Sequence, residues 1–124
     1  MGARATIPRS ASVLIGLLCA LAGSAWAHAI VVESTPKMNA VVTGPALEIK
    51  LRFNVRIDGG RSKLTLILPD GRTRPVDLQR QPSPDSLSAT VPRLLPGNYK
   101  LHWLVLANDG HITQGNIPFR VADH

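Results

Sequence analysis

Thiols are nearly missing from this chain. Its single cysteine, Cys19, falls in an apolar N-terminal run. One cysteine cannot close a disulfide within the chain, and it cannot build a thiolate zinc site or an iron–sulfur cluster. Leu17-Leu18-Cys19-Ala20 also lacks the small residue expected just before a lipidated cysteine, which argues against a lipid anchor. Methionine is almost as scarce: beyond Met1 there is only Met38. A lone thioether does not make a Cu(I) site, which needs several soft ligands.

Long apolar runs are lacking too. The longest covers residues 13–22 and is too short to span a bilayer comfortably. It follows Arg4 and Arg9 and precedes Ala25-Trp26-Ala27, the order of a positive region, an apolar region and a small-residue cleavage site. Residues 1–27 are therefore expected to be a secretory signal peptide, and residues 28–124 an exported single domain. Its 97 residues can form a modest core without disulfide or metal staples. Cleavage removes Cys19, so blue-copper chemistry is excluded from the mature domain as well.

Removing Arg4 and Arg9 leaves 12 basic residues against 8 acidic ones, a formal charge of +4. The basic residues are scattered along the chain, and the domain has four aromatics: Phe53, Tyr99, Trp103 and Phe119. Nucleic-acid binding calls for a dense basic stripe with stacking platforms, so no nucleic-acid partner is expected. Catalytic signatures are equally thin. The domain has no cysteine nucleophile, nucleophile-elbow sequence or phosphate-binding glycine loop. Asp70 and Asp77 read as solvated carboxylates, and paired-acid hydrolysis needs a cleft that so small a domain seldom builds.

Alternation with a period of two is what the domain does have. Leu47, Ile49, Leu51, Phe53 and Val55 alternate with Glu48, Lys50, Arg52 and Asn54, which only a half-buried strand satisfies. The same period marks strands over 29–33, 64–68, 73–78, 87–91, 99–106 and 117–121, separated by Pro, Gly and Asn signals. Asp58-Gly59-Gly60 reads as a turn, and Pro118 as an edge or bulge position. Leu104 and Leu106 make the far face of the 99–106 strand apolar, so its later half is expected to be covered on both sides. No helical period persists for three turns. Seven short strands in this length predict an all-β Greek-key sandwich or small barrel.

Two places in the domain carry metal-binding chemistry. Cleavage after Ala27 would leave His28 with a free α-amine beside its imidazole, and the amine and Nδ1 can close a six-membered chelate ring. An ordinary α-amine has a pKa near ~8, so it can give up its proton near neutral pH. The second place is Asp109-Gly110-His111, after the most apolar strand; in an extended segment Asp109 and His111 would share a face. One amine, two imidazoles and one carboxylate form a nitrogen-rich set that suits tetragonal Cu(II). Each motif also has an ordinary reading. Asp-Gly-His is common turn chemistry, and a histidine after a cleavage site is a weak signal by itself. His102 reads as a partly exposed strand residue and His124 as a frayed end.

Several stretches together resemble the CopC family of periplasmic copper-binding proteins. His28-Ala29-Ile30-Val31-Val32-Glu33-Ser34-Thr35-Pro36 is similar to the family's mature start, and Pro96-Gly97-Asn98-Tyr99-Lys100-Leu101-His102-Trp103 to its penultimate strand. Asp109-Gly110-His111, followed by Gly115 and Phe119-Arg120-Val121, resembles its ligand loop and closing strand. The resemblance implies a seven-stranded Greek-key barrel or sandwich, Ig-like or cupredoxin-like. It also implies one Cu(II) ion held by the N-terminal amine, His28, Asp109 and His111. A periplasmic, monomeric carrier or buffer in copper resistance or homeostasis follows, often beside an inner-membrane copper transporter of the CopD type. Some members add a Met-rich Cu(I) segment. Residues 71–92 contain neither Met nor His, so a Cu(II)-only member is expected.

Two other functions compete with this one. An N-terminal His with a second His also resembles the copper brace of oxygen-activating monooxygenases, although four aromatics leave little for a flat sugar-binding surface. A metal-free β-sandwich interaction module is the third reading.

Overall fold

The computed structural model describes residues 28–123. The signal-peptide reading of residues 1–27, and His124, lie outside the described residues. Eight strands follow one another: β1 (Val31–Thr35), β2 (Ala40–Val42), β3 (Ala46–Phe53), β4 (Ile57–Ile67), β5 (Thr73–Val76), β6 (Ser86–Pro92), β7 (Gly97–Ala107) and β8 (Ile112–Val121). They form a three-stranded sheet, β1-β3-β6, and a five-stranded sheet, β2-β8-β7-β4-β5. The fold is an all-β sandwich with open sheet edges rather than a closed barrel.

The strand beyond the seven expected is β2. Three residues are too few to show a period, and they pair parallel to β8, with Ala40 opposite Phe119 and Val42 opposite Val121. The chain reaches β2 from β1 through Asn39, whose φ of 62° lies in the left-handed region that Asn tolerates better than most residues. Asp58-Gly59-Gly60 does not reverse the chain. It lies inside β4, where the pairing with β7 shifts between Asp58 and Lys63. Ser62 Oγ donates to the Asp58 carbonyl (2.6 Å) and the Arg61 N–H to Asp58 Oδ1 (3.2 Å), so the two glycines serve a bulge.

Alternation decides what is buried. Along β3, Leu47, Ile49, Leu51 and Phe53 point inward, and along β7 so do Tyr99, Leu101, Trp103, Val105 and Ala107. Phe53 and Trp103 meet edge to face across the two sheets, with ring centroids 5.3 Å apart. Tyr99 stacks on Phe119 at 5.6 Å and its hydroxyl donates to the Leu95 carbonyl at 2.6 Å. Leu104 and Leu106 are half-buried and pair with Gln114 and Ile112. Among the described residues no third layer covers this outer face, contrary to the expectation of cover on both sides. Pro118 sits in β8, which has neighbours on both sides. Its carbonyl accepts from Asn39 N, so its missing donor faces the start of β2 and the β7 ladder loses nothing.

Gly115 sits opposite Trp103. A Cβ there would lie 2.7 Å from Cζ2 of the indole, so glycine lets the ring lie against β8. Trp103 is held from the other side by Phe53 and cannot withdraw easily. Gly115→Ala is therefore expected to destabilise the domain by about 1–3 kcal/mol, lowering the thermal midpoint by roughly 5 °C or more. An unchanged midpoint in thermal unfolding followed by circular dichroism would contradict this packing.

Candidate metal centre

The start of β1, the end of β3 and the β7–β8 turn share one end of the sandwich, a consequence of the antiparallel β1–β3 and β7–β8 pairings. Ala29 is buried at 1 % exposure, which fixes the chain one residue after His28. Ile30 is clamped twice by Asn54, the first residue past β3. Its N–H donates to Asn54 Oδ1 (2.7 Å) and its carbonyl accepts from Asn54 N (3.0 Å). His28 is exposed directly outside this clamp.

The other half of the site is a tight hairpin turn. Gly110 N donates to the Ala107 carbonyl (2.9 Å) and Ala107 N to the His111 carbonyl (2.8 Å). Such a three-residue loop requires a left-handed residue at its third position, and Gly110 supplies it with φ 91°. Asp109 and His111 thus meet through a turn and not along an extended face. The Asn108 N–H donates to the Arg56 carbonyl at 3.1 Å. Residues 54–56 therefore hold both the His28 segment and the turn.

Across this end the rings of His28 and His111 stand edge to face with centroids 6.2 Å apart. Asp109 Oδ1 accepts from the His111 N–H at 3.0 Å, and Oδ2 lies 3.2 Å from His111 Nδ1. The His111 N–H holds the Asp109 carboxyl below the usual carboxylate range, against partial desolvation, with further help from the imidazole. An imidazole nitrogen binds a divalent ion at about 2.0–2.1 Å, so two rings on one ion have centroids at most about 6.3 Å apart, reached when the two nitrogens lie trans. The observed spacing falls at the upper end of that span, and the donor set of imidazole and carboxylate is one that divalent copper accepts. Among the described residues, no three His, Asp or Glu side chains already form a metal cluster. The Asp109 carboxylate is turned toward His111, so ligation by all three side chains requires their rotamers to change.

The remaining histidine and methionine lie elsewhere. His102 is on the outer face of β7, with Nδ1 2.7 Å from Asn116 Oδ1 and Nε2 3.1 Å from Gln114 Oε1. Met38 is in the β1–β2 connection, 63 % exposed. The residue that sequence reasoning missed is Asn54, which alternation placed simply on the polar face of a strand. Its position at the strand end was the only available signal.

The domain as a whole has relatives among known proteins. The CopC domain matches residues 31–122. Copper resistance protein C of Xanthomonas campestris pv. juglandis is 38 % identical over 106 residues, covering 79 % of this chain and 83 % of that protein. The crystal structure of CopC from Methylosinus trichosporium OB3b superposes with a TM-score of 0.70 at 28 % identity, covering 78 % of this chain and 96 % of that one. PcoC of Escherichia coli, described as a methionine-rich copper resistance protein, gives a TM-score of 0.60 at 29 % identity, covering 77 % and 100 %. With most of the described domain matched in both sequence and fold, the chain belongs to the CopC family.

Proposed function

We propose that the protein binds a single Cu(II) ion at the His28 end and acts in the periplasm as a monomeric, non-catalytic copper carrier or buffer. The ligands are the α-amine released by cleavage after Ala27, the His28 and His111 imidazoles, and the Asp109 carboxylate. The approach of His28 to His111, 6.2 Å between centroids with Asp109 alongside, is the observation that carries this reading.

The chemistry of the donors supports Cu(II). Nitrogen and carboxylate oxygen match the divalent ion and its tetragonal preference, whereas Cu(I) wants soft sulfur. The relative described as methionine-rich contrasts with this chain, whose only internal methionine is Met38. A copper transporter of the CopD type in the inner membrane is the partner we propose for the loaded protein. The same donor set also counts against the monooxygenase reading, because a carboxylate ligand favours Cu(II) and resists the reduction that oxygen activation needs. Sustained ascorbate-driven peroxide production by the copper-loaded protein would overturn the non-catalytic assignment.

Two predictions follow from the ligand set. Leaving one extra residue ahead of His28 removes the amine's chelate ring without touching the fold, and Cu(II) affinity should fall by about a hundredfold or more. Competition titration against a chelator reads this, and unchanged affinity would remove the amine from the site. The second concerns Asp109. Its lowered pKa keeps the carboxylate charged down through the usual carboxylate range, and the charge is lost only as pH falls through the lowered value. Asp109→Asn should therefore weaken Cu(II) binding by the same factor at neutral pH and at about pH 5. A factor that shrinks toward one at the lower pH would show that this carboxyl titrates within that window.

A further inference from the structure

The end of the sandwich opposite His28 has a different character. Four connections meet there, over residues 36–39, 43–45, 68–72 and 93–96. Arg93 N donates to the Pro45 carbonyl (2.7 Å) and Asn39 N to the Pro118 carbonyl (2.6 Å), while Gly97 packs against Pro69. Charges that are scattered in sequence come together at this end. Lys37, Arg93, Lys100 and Arg120 are exposed, and among the described residues none of them forms an ion pair. Arg72 is paired with Asp70 at 2.7 Å, which leaves Asp123 and Glu48, exposed near the start of β3, as the acids at this end among the described residues. At the His28 end the balance differs, because Glu33, Asp58, Asp85 and Asp109 stand among Arg52, Arg56 and Arg61.

Exposed apolar side chains accompany the cations. Leu95 is 80 % exposed, Met38 63 % and Val41 55 %. They come from three segments and each has a cation nearby: Met38 follows Lys37, Leu95 is two residues from Arg93, and Val41 is the Cα partner of Arg120. Beside Val41, on the outer face of the five-stranded sheet, lies an open hollow of about 570 Å³ bordered by Asn39, Val41, Pro69, Lys100, Pro118 and Arg120.

We propose that this end docks onto an anionic phospholipid surface. Lipid headgroups would meet the unpaired cations, while Leu95, Met38 and Val41 enter the boundary between headgroups and acyl chains. Alternating cations and apolar tips on separate loops suit this interface, where both attractions act within a few ångströms of depth. A folded acidic partner would instead favour a continuous apolar centre with a polar rim. Docking in this way holds the His28 end at the far side of the sandwich. At 3.3–3.4 Å per residue, the 11 residues of β7 put it roughly 35 Å from the headgroups, facing the aqueous space. The inference does not depend on the copper ligands.

Vesicle flotation of the protein processed from the full chain tests this. Vesicles containing phosphatidylglycerol should carry the protein and pure phosphatidylcholine vesicles should not, with binding to the former lost as salt screens the charges. Lys100→Glu with Arg120→Glu should lower binding by about tenfold or more, and Leu95→Ser should lower it several-fold. Arg61→Glu with Lys63→Glu makes the same change in net charge away from this end and should leave binding nearly intact. Thermal unfolding confirms that each variant is folded. Equal binding to phosphatidylcholine, no binding to phosphatidylglycerol, or equal losses from the two charge-reversal pairs would overturn the proposal, as would binding only to acidic proteins.

Discussion

The short link from Asn54 to Arg56 is the constraint on which this molecule's candidate site depends. Asn54 grips Ile30 from both sides, and the Arg56 carbonyl takes the Asn108 N–H. Segments some eighty residues apart in sequence are thus referred to the same three residues. Each of these hydrogen bonds is exposed and modest in energy, so their value is positional. The rigidity comes from beneath, where Phe53 at the end of β3 meets Trp103 across the two sheets and Gly115 lets the indole lie against β8. A site built from the segment ahead of β1 and a turn needs such a support, because loops and element ends are places where a chain otherwise frays.

The two ends of the sandwich divide the remaining features. One gathers imidazoles and a carboxylate around a tight turn, with charges of both signs close by. The other gathers exposed cations and exposed apolar tips. A β-sandwich permits this division because its loops cluster at two ends while the strands between them serve the core. Changes at either end can then leave the packing of β3, β7 and β8 undisturbed.

Much of the fold was legible in the sequence because burial imposes a period of two, and β3 and β7 carry that period without a break. β2 was not legible, since three residues define no period and a parallel partner at the far end of the chain leaves no local trace. Gly59 and Gly60 misled for a physical reason: a bulge and a turn ask for the same permissive residues, and only pairing to β7 tells them apart. The candidate ligands were visible as residue types, and the family resemblance supplied their connection. Asn54 was hidden because a side chain that caps a neighbouring strand looks like any outward polar residue. The segregation of charge was hidden as well, since Lys37, Arg93, Lys100 and Arg120 are spread along the chain and only strand order brings them to one end.

The central claim is that processing and folding together create one copper site at His28. The most direct measurement is a Cu(II) titration followed by electron paramagnetic resonance, on protein whose first residue has been confirmed by mass. A stoichiometric type-2 signal with nitrogen coupling, saturating at one ion per chain, is the predicted result. Weak binding spread over several sites, with no saturating nitrogen-coupled signal, would contradict it.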